Sequence, residues 1–166
     1  MKEETTDLLD TLVLEWKEER PDLNASPMLV VGRILKMGKI LEKRASLALQ
    51  DSNIHYTDLD VLATLRRSGK PFELTPTQLM QSVLITSGAM TALLDRLMKL
   101  GLIYRAQDPS DGRIKRAGLT KKGLKIIDKA IETRFNEASE AIAIFNKEEN
   151  ETLATLLKKM MLHLGN

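Results

Sequence analysis

The stretch ITSGAMTALLDRLMKLGLI, residues 85–103, decides the fold because it predicts one helix with an unusual front. Apolar side chains recur along it at helical spacing and predict a single buried face, carried by Met90, Leu94, Leu97 and Leu100. The front is small and polar, with Thr86 as the predicted N-cap, and Gly101 predicts a left-handed cap at the other end. A helix that begins with such small side chains lets another molecule approach its backbone closely.

The segments on either side of this helix complete a larger motif. LTPTQLMQSVL, residues 74–84, predicts a short preceding helix with Thr75 as its cap and Pro76 at its first position. LIYRAQ, DPSDGR and IKRAGL, together residues 102–119, predict a strand, a turn and a returning strand. Two helices joined by about four residues match a helix-turn-helix, and the β-hairpin behind them would be its wing.

Such a motif predicts contact with double-stranded DNA. A recognition helix places its N-terminal residues in a major groove ~12 Å wide, and an Arg on a rigid ribbon suits a narrow minor groove. Asp111 is expected to hold Arg113 in position at the tip of the hairpin. Other cations would lie near phosphates, where they add salt-dependent affinity. The predicted DNA-binding residues are Thr86, Ser87, Gly88, Ala89, Thr91, Arg105, Arg113, Lys115 and Arg116.

Residues 74–123, LTPTQLMQSVLITSGAMTALLDRLMKLGLIYRAQDPSDGRIKRAGLTKKG, resemble the winged helix-turn-helix core of the MarR family of bacterial transcription regulators. The D-P-x-D-x-R turn from Asp108, followed by a strand and L-T-x-x-G from Leu119, is specific in combination. The flanking helices match the family's plan, so the resemblance covers nearly the whole chain. It implies a homodimer, formed by the terminal helices, that binds a pseudo-palindromic operator, often as a repressor, and is usually released by a small ligand.

The expected fold is therefore mainly α, a winged helix-turn-helix with a two-stranded wing flanked by dimerisation helices. By role, residues 1–56 and 121–166 would contribute to dimerisation, and residues 57–120 would form the DNA-binding lobe. A long helix from Pro27 to about Leu49 is predicted to turn Met28, Val31, Leu35, Gly38 and Leu41 inward. Ser26, Thr57 and Thr120 are predicted N-caps, and Asn146 with Glu149 three residues later resembles a capping box that opens the last helix. The helix after Thr120 is expected to run to about Phe145, with Phe135 and Ile142 on its inner face.

A small-molecule site is suggested by Trp16 and Arg20, which lie one turn apart on the first predicted helix. The pair resembles one in urate-responsive members of the family, which also use an acidic residue that Asp58 or Asp60 could supply here. Together they would suit a planar, anionic aromatic ligand. The alternative is that Trp16 anchors the dimer interface and Arg20 pairs with an acid.

The recognition helix departs from similar sequences at Ala92 and Leu93, which replace polar or basic residues. Leu93 could contact a thymine methyl group, or the change could alter operator preference. It also keeps open a second function, in which the winged fold is a scaffold or antirepressor that binds protein.

Composition and charge narrow the classes of function that this chain can have. The chain has 166 residues, no cysteine and a net charge of +2, and nothing in it predicts a signal peptide or a membrane span, so a cytoplasmic protein is expected. Residues 86–116 carry six basic and three acidic groups, which can steer a polyanion to that face. His55 and His163 make no convincing zinc site, and no catalytic or cofactor motif is present, so neither an enzyme nor a cofactor is expected.

Overall fold

The computed structural model describes residues 6–83, 87–108 and 111–165, with only the backbone of Ser87 and Gly88. Helices dominate this part of the chain, as predicted. In chain order the elements are α1 (Leu8–Glu19), α2 (Met28–Ala48), a 3₁₀ turn (Gln50–Ser52), α3 (Tyr56–Arg67), β1 (Glu73–Leu74), α4 (Pro76–Ser82), α5 (Ser87–Lys99), β2 (Ile103–Gln107), β3 (Lys115–Leu119), α6 (Lys121–Ala141) and α7 (Lys147–Leu164).

The chain divides into two compact units, residues 1–44 and 45–166. In the first unit, α1 packs on α2 where the side chain of Leu9 lies against Gly32, a position at which any Cβ would overlap it. Arg33 of α2 pairs with both carboxylates of the α1 capping box, Asp7 at 2.9 Å and Asp10 at 2.7 Å. A backbone contact and a double ion pair therefore fix this helix pair.

The predicted inner face of α2 is not covered in the single chain. Met28, Val31, Leu35 and Leu41 are exposed by between 37% and 62%. The prediction that they face inward is therefore wrong for a single chain. Helical periodicity indicates an apolar face, but it does not show whether the same chain or a second copy covers that face. Ser26, the predicted cap of α2, instead donates its hydroxyl to Asn24 Oδ1 at 2.7 Å, and the helix begins at Met28.

The core of the second unit lies between α3, α5 and α6. The predicted core residues of α5 are confirmed, since Met90, Leu94 and Leu97 are at most 5% exposed. They pack in one cluster with Leu59, Leu62 and Leu65 of α3 and Ile127 of α6. Thr57 does not cap α3, because the helix already begins at Tyr56 and the carboxylate of Asp58 accepts the backbone N–H of His55 at 2.7 Å.

Within the described ranges the sheet has three strands, where two were predicted. β2 and β3 form the expected antiparallel hairpin, with Ile103 opposite Leu119 and Gln107 opposite Lys115. The additional strand β1 pairs with β3, so the strand order is β1-β3-β2. Two residues are too few to show an alternating pattern, and for this reason the sequence did not reveal β1.

The end of α5 is held by the start of α6. Gly101 adopts a φ of +70°, which confirms the predicted left-handed cap. The hydroxyl of Thr120 donates to the Gly101 carbonyl at 2.8 Å and accepts the N–H of Gly123 at 2.9 Å. The ammonium group of Lys122 donates to the Leu100 carbonyl at 2.8 Å. The recognition helix and the first C-terminal helix are thus joined at one junction.

The C-terminal helices confirm one predicted cap and correct one predicted boundary. Asn146 and Glu149 form the expected capping box of α7. Helix α6 ends at Ala141, before the predicted Phe145, because the N–H groups of Ala143 and Phe145 donate to carbonyls three residues back, in turns that do not continue the helix. Phe135 and Ile142 are 64% and 45% exposed in the single chain, contrary to prediction. No helix of the described residues has the length and apolar character needed to cross a membrane.

Candidate nucleic-acid interface

The front of α5 combines small side chains with exposure. Ala89 and Thr91 are exposed, whereas Met90 between them is only 1% exposed. Ser87 and Gly88 are placed as the first two residues of the helix, and the predicted contact Thr86 lies outside the described residues. Ala89 and Thr91, the two predicted contacts on this helix whose side chains are described, therefore lie on its accessible side.

Leu93 belongs to the core rather than to this accessible side. It is 9% exposed and clusters with Leu94 and Leu97. The position follows Met90 by three residues and precedes Leu97 by four, which places it on the same helical stripe. The hypothesis that Leu93 reads a thymine methyl group is therefore wrong, while Ala92 beside it is exposed.

The tip of the wing presents a single arginine on an ordered support. The side chain of Arg113 is 92% exposed. Its Nε and Nη2 donate to Asp111 Oδ1 at 3.1 Å and Oδ2 at 3.2 Å, and its backbone N–H donates to the same Oδ1 at 3.0 Å. The nearby guanidinium lowers the pKa of Asp111 below its usual value, so this carboxylate is charged at neutral pH. As predicted, Asp111 holds Arg113 at the tip.

The other predicted cations divide into paired and exposed groups. Arg116 Nε donates to Asp108 Oδ2 at 2.6 Å, and the side chain of Asp108 is only 4% exposed, so this pair supports the base of the wing. Arg105 of β2 pairs with Asp95 of α5 at 3.0 Å and links the sheet to the recognition helix. Lys115, at the start of β3, is exposed.

An ion pair with a buried carboxylate connects the recognition helix to α3. Arg96 of α5 lies 3.1 Å from Oδ2 of Asp58, whose side chain is fully buried. Burial raises the pKa of Asp58 to about 6. Sequence reasoning named Asp58 only as a ligand residue and missed this pairing, because no local pattern links residues 38 positions apart.

A first cavity, of about 300 Å³, opens between α4, α5 and the sheet. Its walls are apolar at Met80, Met90 and Leu94, and Thr91 and Arg105 add polar groups. The cavity therefore lies directly beside the exposed front of the recognition helix.

A second cavity, of about 400 Å³, lies between α3 and α6; we call it the α3–α6 cavity. It combines apolar and aromatic side chains with one carboxylate and three guanidinium groups. Burial raises the pKa of Asp60 while the charges of Arg67 and Arg134 act in the opposite direction. Its lining residues are Tyr56, Leu59, Asp60, Ala63, Arg66, Arg67, Ile127, Ile131, Arg134 and Phe135.

The predicted ligand residues lie in different parts of the chain. Trp16 and Arg20 belong to the first unit, and Trp16 is 53% exposed. Arg20 pairs with Asp22 at 2.6 Å, which agrees with the alternative prediction that Arg20 pairs with an acid. In the second unit Asp60 lines the α3–α6 cavity, whereas Asp58 is committed to Arg96 and to the start of α3. Of the two acids, only Asp60 faces a space that a ligand could enter.

Metal binding has no support in the described ranges, where no three His, Asp or Glu side chains gather into a group that could hold an ion.

Similarity to known proteins agrees with this geometry. The MarR family model matches residues 52–114, from just before α3 to the end of the wing turn. The HTH-type transcriptional regulator PecS of Dickeya dadantii is 30% identical over 155 residues, which are 93% of this chain and 93% of PecS.

Two solved structures share the fold. Mutant MarR from Escherichia coli complexed with operator DNA has a TM-score of 0.71 at 25% identity, covering 94% of this chain and 99% of that one. The organohalide-sensing transcriptional regulator RdhR, in its 2,4-dichlorophenol-bound form, has a TM-score of 0.74 at 21% identity, covering 98% and 88%. The wing, the two-helix motif and these similarities together establish that the chain belongs to the MarR family of transcription regulators.

Proposed function

We propose that this chain acts as a homodimeric, sequence-specific DNA-binding transcription regulator whose affinity for its operator responds to a small aromatic ligand. The observation that carries the proposal is Arg113, which is 92% exposed and held by Asp111 at the tip of a wing beside the front of α5. An arginine in this position suits a minor groove while the helix occupies the adjacent major groove. The role is one of binding, without a catalytic step.

The terminal helices are the proposed dimer surface. Helix α7 exposes Leu156 by 59%, Leu162 by 61% and Met161 by 72%, and α2 exposes Leu35 by 62%. Apolar faces of this extent are costly in water and mark surfaces that another chain covers. A two-fold dimer presents two recognition helices to successive major-groove faces ~34 Å apart, which matches a pseudo-palindromic site.

The α3–α6 cavity is the proposed effector site. Its volume of about 400 Å³ suits a small ligand, its walls are largely apolar, and its rim carries Arg66, Arg67 and Arg134. This combination favours a planar aromatic anion or phenolate. The bound 2,4-dichlorophenol in RdhR, a protein of the same fold, supports a ligand of this class. Asp60 is the proposed acidic group of this site. The separate prediction that Trp16 and Arg20 bind a ligand stays a prediction.

Release from DNA would follow from a population shift. A ligand weakens DNA binding only if it binds more tightly to a conformation whose recognition helices no longer match the groove spacing. Tight binding alone changes nothing, so an effector must distinguish two arrangements of the α4–α5 motif.

The test is a titration of DNA from upstream of the chain's own gene, followed by fluorescence anisotropy. Arg113→Glu should weaken binding at least tenfold, because the wing would carry an acid toward a polyanion. Lys147→Glu is the matched control, since its side chain is 90% exposed and the charge change is identical. Equal affinities for the two variants would contradict the proposed role of the wing.

The alternative function, a scaffold that binds protein instead of DNA, loses part of its support. It rested on two apolar residues in the recognition helix, and Leu93 is buried in the core. An absence of DNA binding by the native chain would restore it.

A further inference from the structure

We propose that Arg67 couples the α3–α6 cavity to the helix-turn-helix, so that an anionic aromatic occupant of the cavity withdraws this guanidinium from the end of α4 and weakens DNA binding. The inference rests on the proposed function, because it assigns a regulatory residue to the same effector site. Arg67 is the last residue of α3, directly between the two places that must communicate.

On one side, Arg67 supports the end of α4. Its Nη2 donates to the carbonyl of Ser82 at 3.2 Å. Ser82 is the last residue of α4, whose final carbonyl groups have no partner within the helix. A cationic donor at this end also interacts favourably with the helix dipole. The contact therefore stabilises the C-terminal end of α4.

On the other side, Arg67 faces the cavity. It lines the α3–α6 cavity together with Asp60 and Arg134. Its charge acts on the carboxyl group of Asp60, seven residues earlier on the same helix. The guanidinium thus reaches both a helix terminus in the DNA-binding motif and the proposed ligand space.

An anionic ligand changes the balance between these two contacts. A guanidinium forms a stronger, bidentate interaction with a carboxylate than with a neutral carbonyl. Occupation of the cavity by a carboxylate would therefore favour rotation of Arg67 toward the ligand and leave the Ser82 carbonyl without this donor. The end of α4 would lose support, and the position of α5 depends on α4 because the two helices are in contact.

Arg66 provides an internal control. It lines the same cavity and carries the same charge, but its Nε donates to Asp128 of α6 at 2.6 Å and its guanidinium lies 5.1 Å from the ring centroid of Phe72. Neither Asp128 nor Phe72 belongs to α4. A purely electrostatic effect of the cavity would depend on both arginines, whereas the proposed coupling depends on Arg67.

The experiment places an occupant in the cavity without knowledge of the natural ligand. The chain has no cysteine, so Ala63→Cys creates a single thiol on the cavity wall. Reaction with dithiobis(nitrobenzoic acid) attaches a planar aromatic carboxylate through a disulfide, and methyl methanethiosulfonate attaches a small neutral group as the control. Affinity for the upstream DNA is then measured in otherwise native, Arg67→Gln and Arg66→Gln backgrounds.

The aromatic label should weaken DNA binding by about tenfold in the native and Arg66→Gln backgrounds, within the usual range of allosteric coupling. It should change binding less than about twofold in the Arg67→Gln background, and the neutral label should have little effect in any of them. An undiminished label effect with Arg67→Gln, or no label effect in the native background, would overturn the proposal.

A second measurement does not depend on DNA. Amide hydrogen exchange at Val83, whose N–H donates to the Leu79 carbonyl at 3.1 Å, reports opening of the last turn of α4. Exchange there should be several-fold faster in Arg67→Gln than in Arg66→Gln. Equal rates would overturn the role of Arg67 at α4. Failure of the unmodified native chain to bind any duplex would instead contradict the proposed function.

Discussion

The carboxylate of Asp58, at the start of α3, lies 3.1 Å from Nη2 of Arg96 in the recognition helix, and its side chain is fully buried while that of Arg96 is 37% exposed. Its other oxygen, Oδ1, has no hydrogen-bond partner among the described residues. The pair joins α3 to α5, the second helix of the helix-turn-helix. It also places a carboxyl group in surroundings that penalise its charge.

Asp58 should therefore make stability depend on pH. Its pKa of about 6 in the folded chain exceeds the ordinary 3.8, so the folded state binds the proton more tightly than the unfolded state. Its contribution to the free energy of unfolding must then increase as the pH falls from about 7 to about 4. Asp58→Asn removes this titration. As the pH falls from about 7 to about 4, the free energy of unfolding of the native chain should rise by about 2 kcal/mol relative to that of Asp58→Asn.

Urea unfolding of both proteins at successive pH values measures this shift. Asp22→Asn is a suitable control, because Arg20 lowers the pKa of that exposed carboxyl and its effect has the opposite sign. A difference between the native chain and Asp58→Asn that is constant with pH would show that burial does not dominate at Asp58.

Because Arg113 is exposed, we predict that replacing it changes how DNA affinity depends on salt concentration. Each phosphate charge neutralised contributes a slope of about −0.9 to the dependence of log affinity on log salt concentration. A dimer has two wings, so Arg113→Ala should make this slope less steep by about 2. Lys147→Ala should leave the slope unchanged. Affinities measured from low to high salt give the slopes. A lower affinity with an unaltered slope would place Arg113 away from the DNA.

We predict that the exposed apolar face of α7 forms part of the dimer contact. Leu156→Asp should dissociate the dimer, because the side chain is 59% exposed in one copy and would carry a charge into an apolar contact. Lys147→Glu, at a 90% exposed position nine residues before Leu156 and so on the opposite side of the same helix, should leave the dimer intact. Light scattering distinguishes the outcomes, and a dimeric Leu156→Asp protein would exclude this residue from the interface.

The close packing around Gly123 predicts that one added methyl group will lower the free energy of unfolding substantially. A Cβ there would overlap the backbone carbonyl of Leu102, which cannot move without disturbing the junction of α5 and α6. Gly123→Ala should lower the free energy of unfolding by about 2 kcal/mol or more. Gly38→Ala, in the interior of α2 with nothing within 4 Å of its Cβ position, should raise it by up to about 1 kcal/mol. Similar effects at both positions would contradict the close packing at the junction.

Local chemistry made much of the fold predictable. The caps at Thr75, Thr120 and Asn146 and the left-handed Gly101 depend on a few neighbouring residues, and all four were identified from sequence. Helical periodicity also identified the core side of α5, including Met90.

Features that depend on distant residues were not predictable. The pairs Asp58–Arg96 and Arg66–Asp128, and the contact of Arg67 with Ser82, join positions between 15 and 62 residues apart. Periodicity predicted buried faces on α2 and at the end of α6 that a single copy leaves exposed, because the same pattern serves a core and an interface. Leu93 lies on the same apolar stripe as Met90 and Leu97, so its apolar character reflects burial in the core.

Selection of bound fragments from a random DNA library tests the central claim most directly. A dimer with two wings should enrich an inverted repeat whose half-sites are about 10 base pairs apart from centre to centre. Arg113→Glu should abolish the enrichment, and Lys147→Glu should preserve it. Recovery of no preferred sequence by the native chain, together with no measurable binding to any duplex at low salt, would contradict the account.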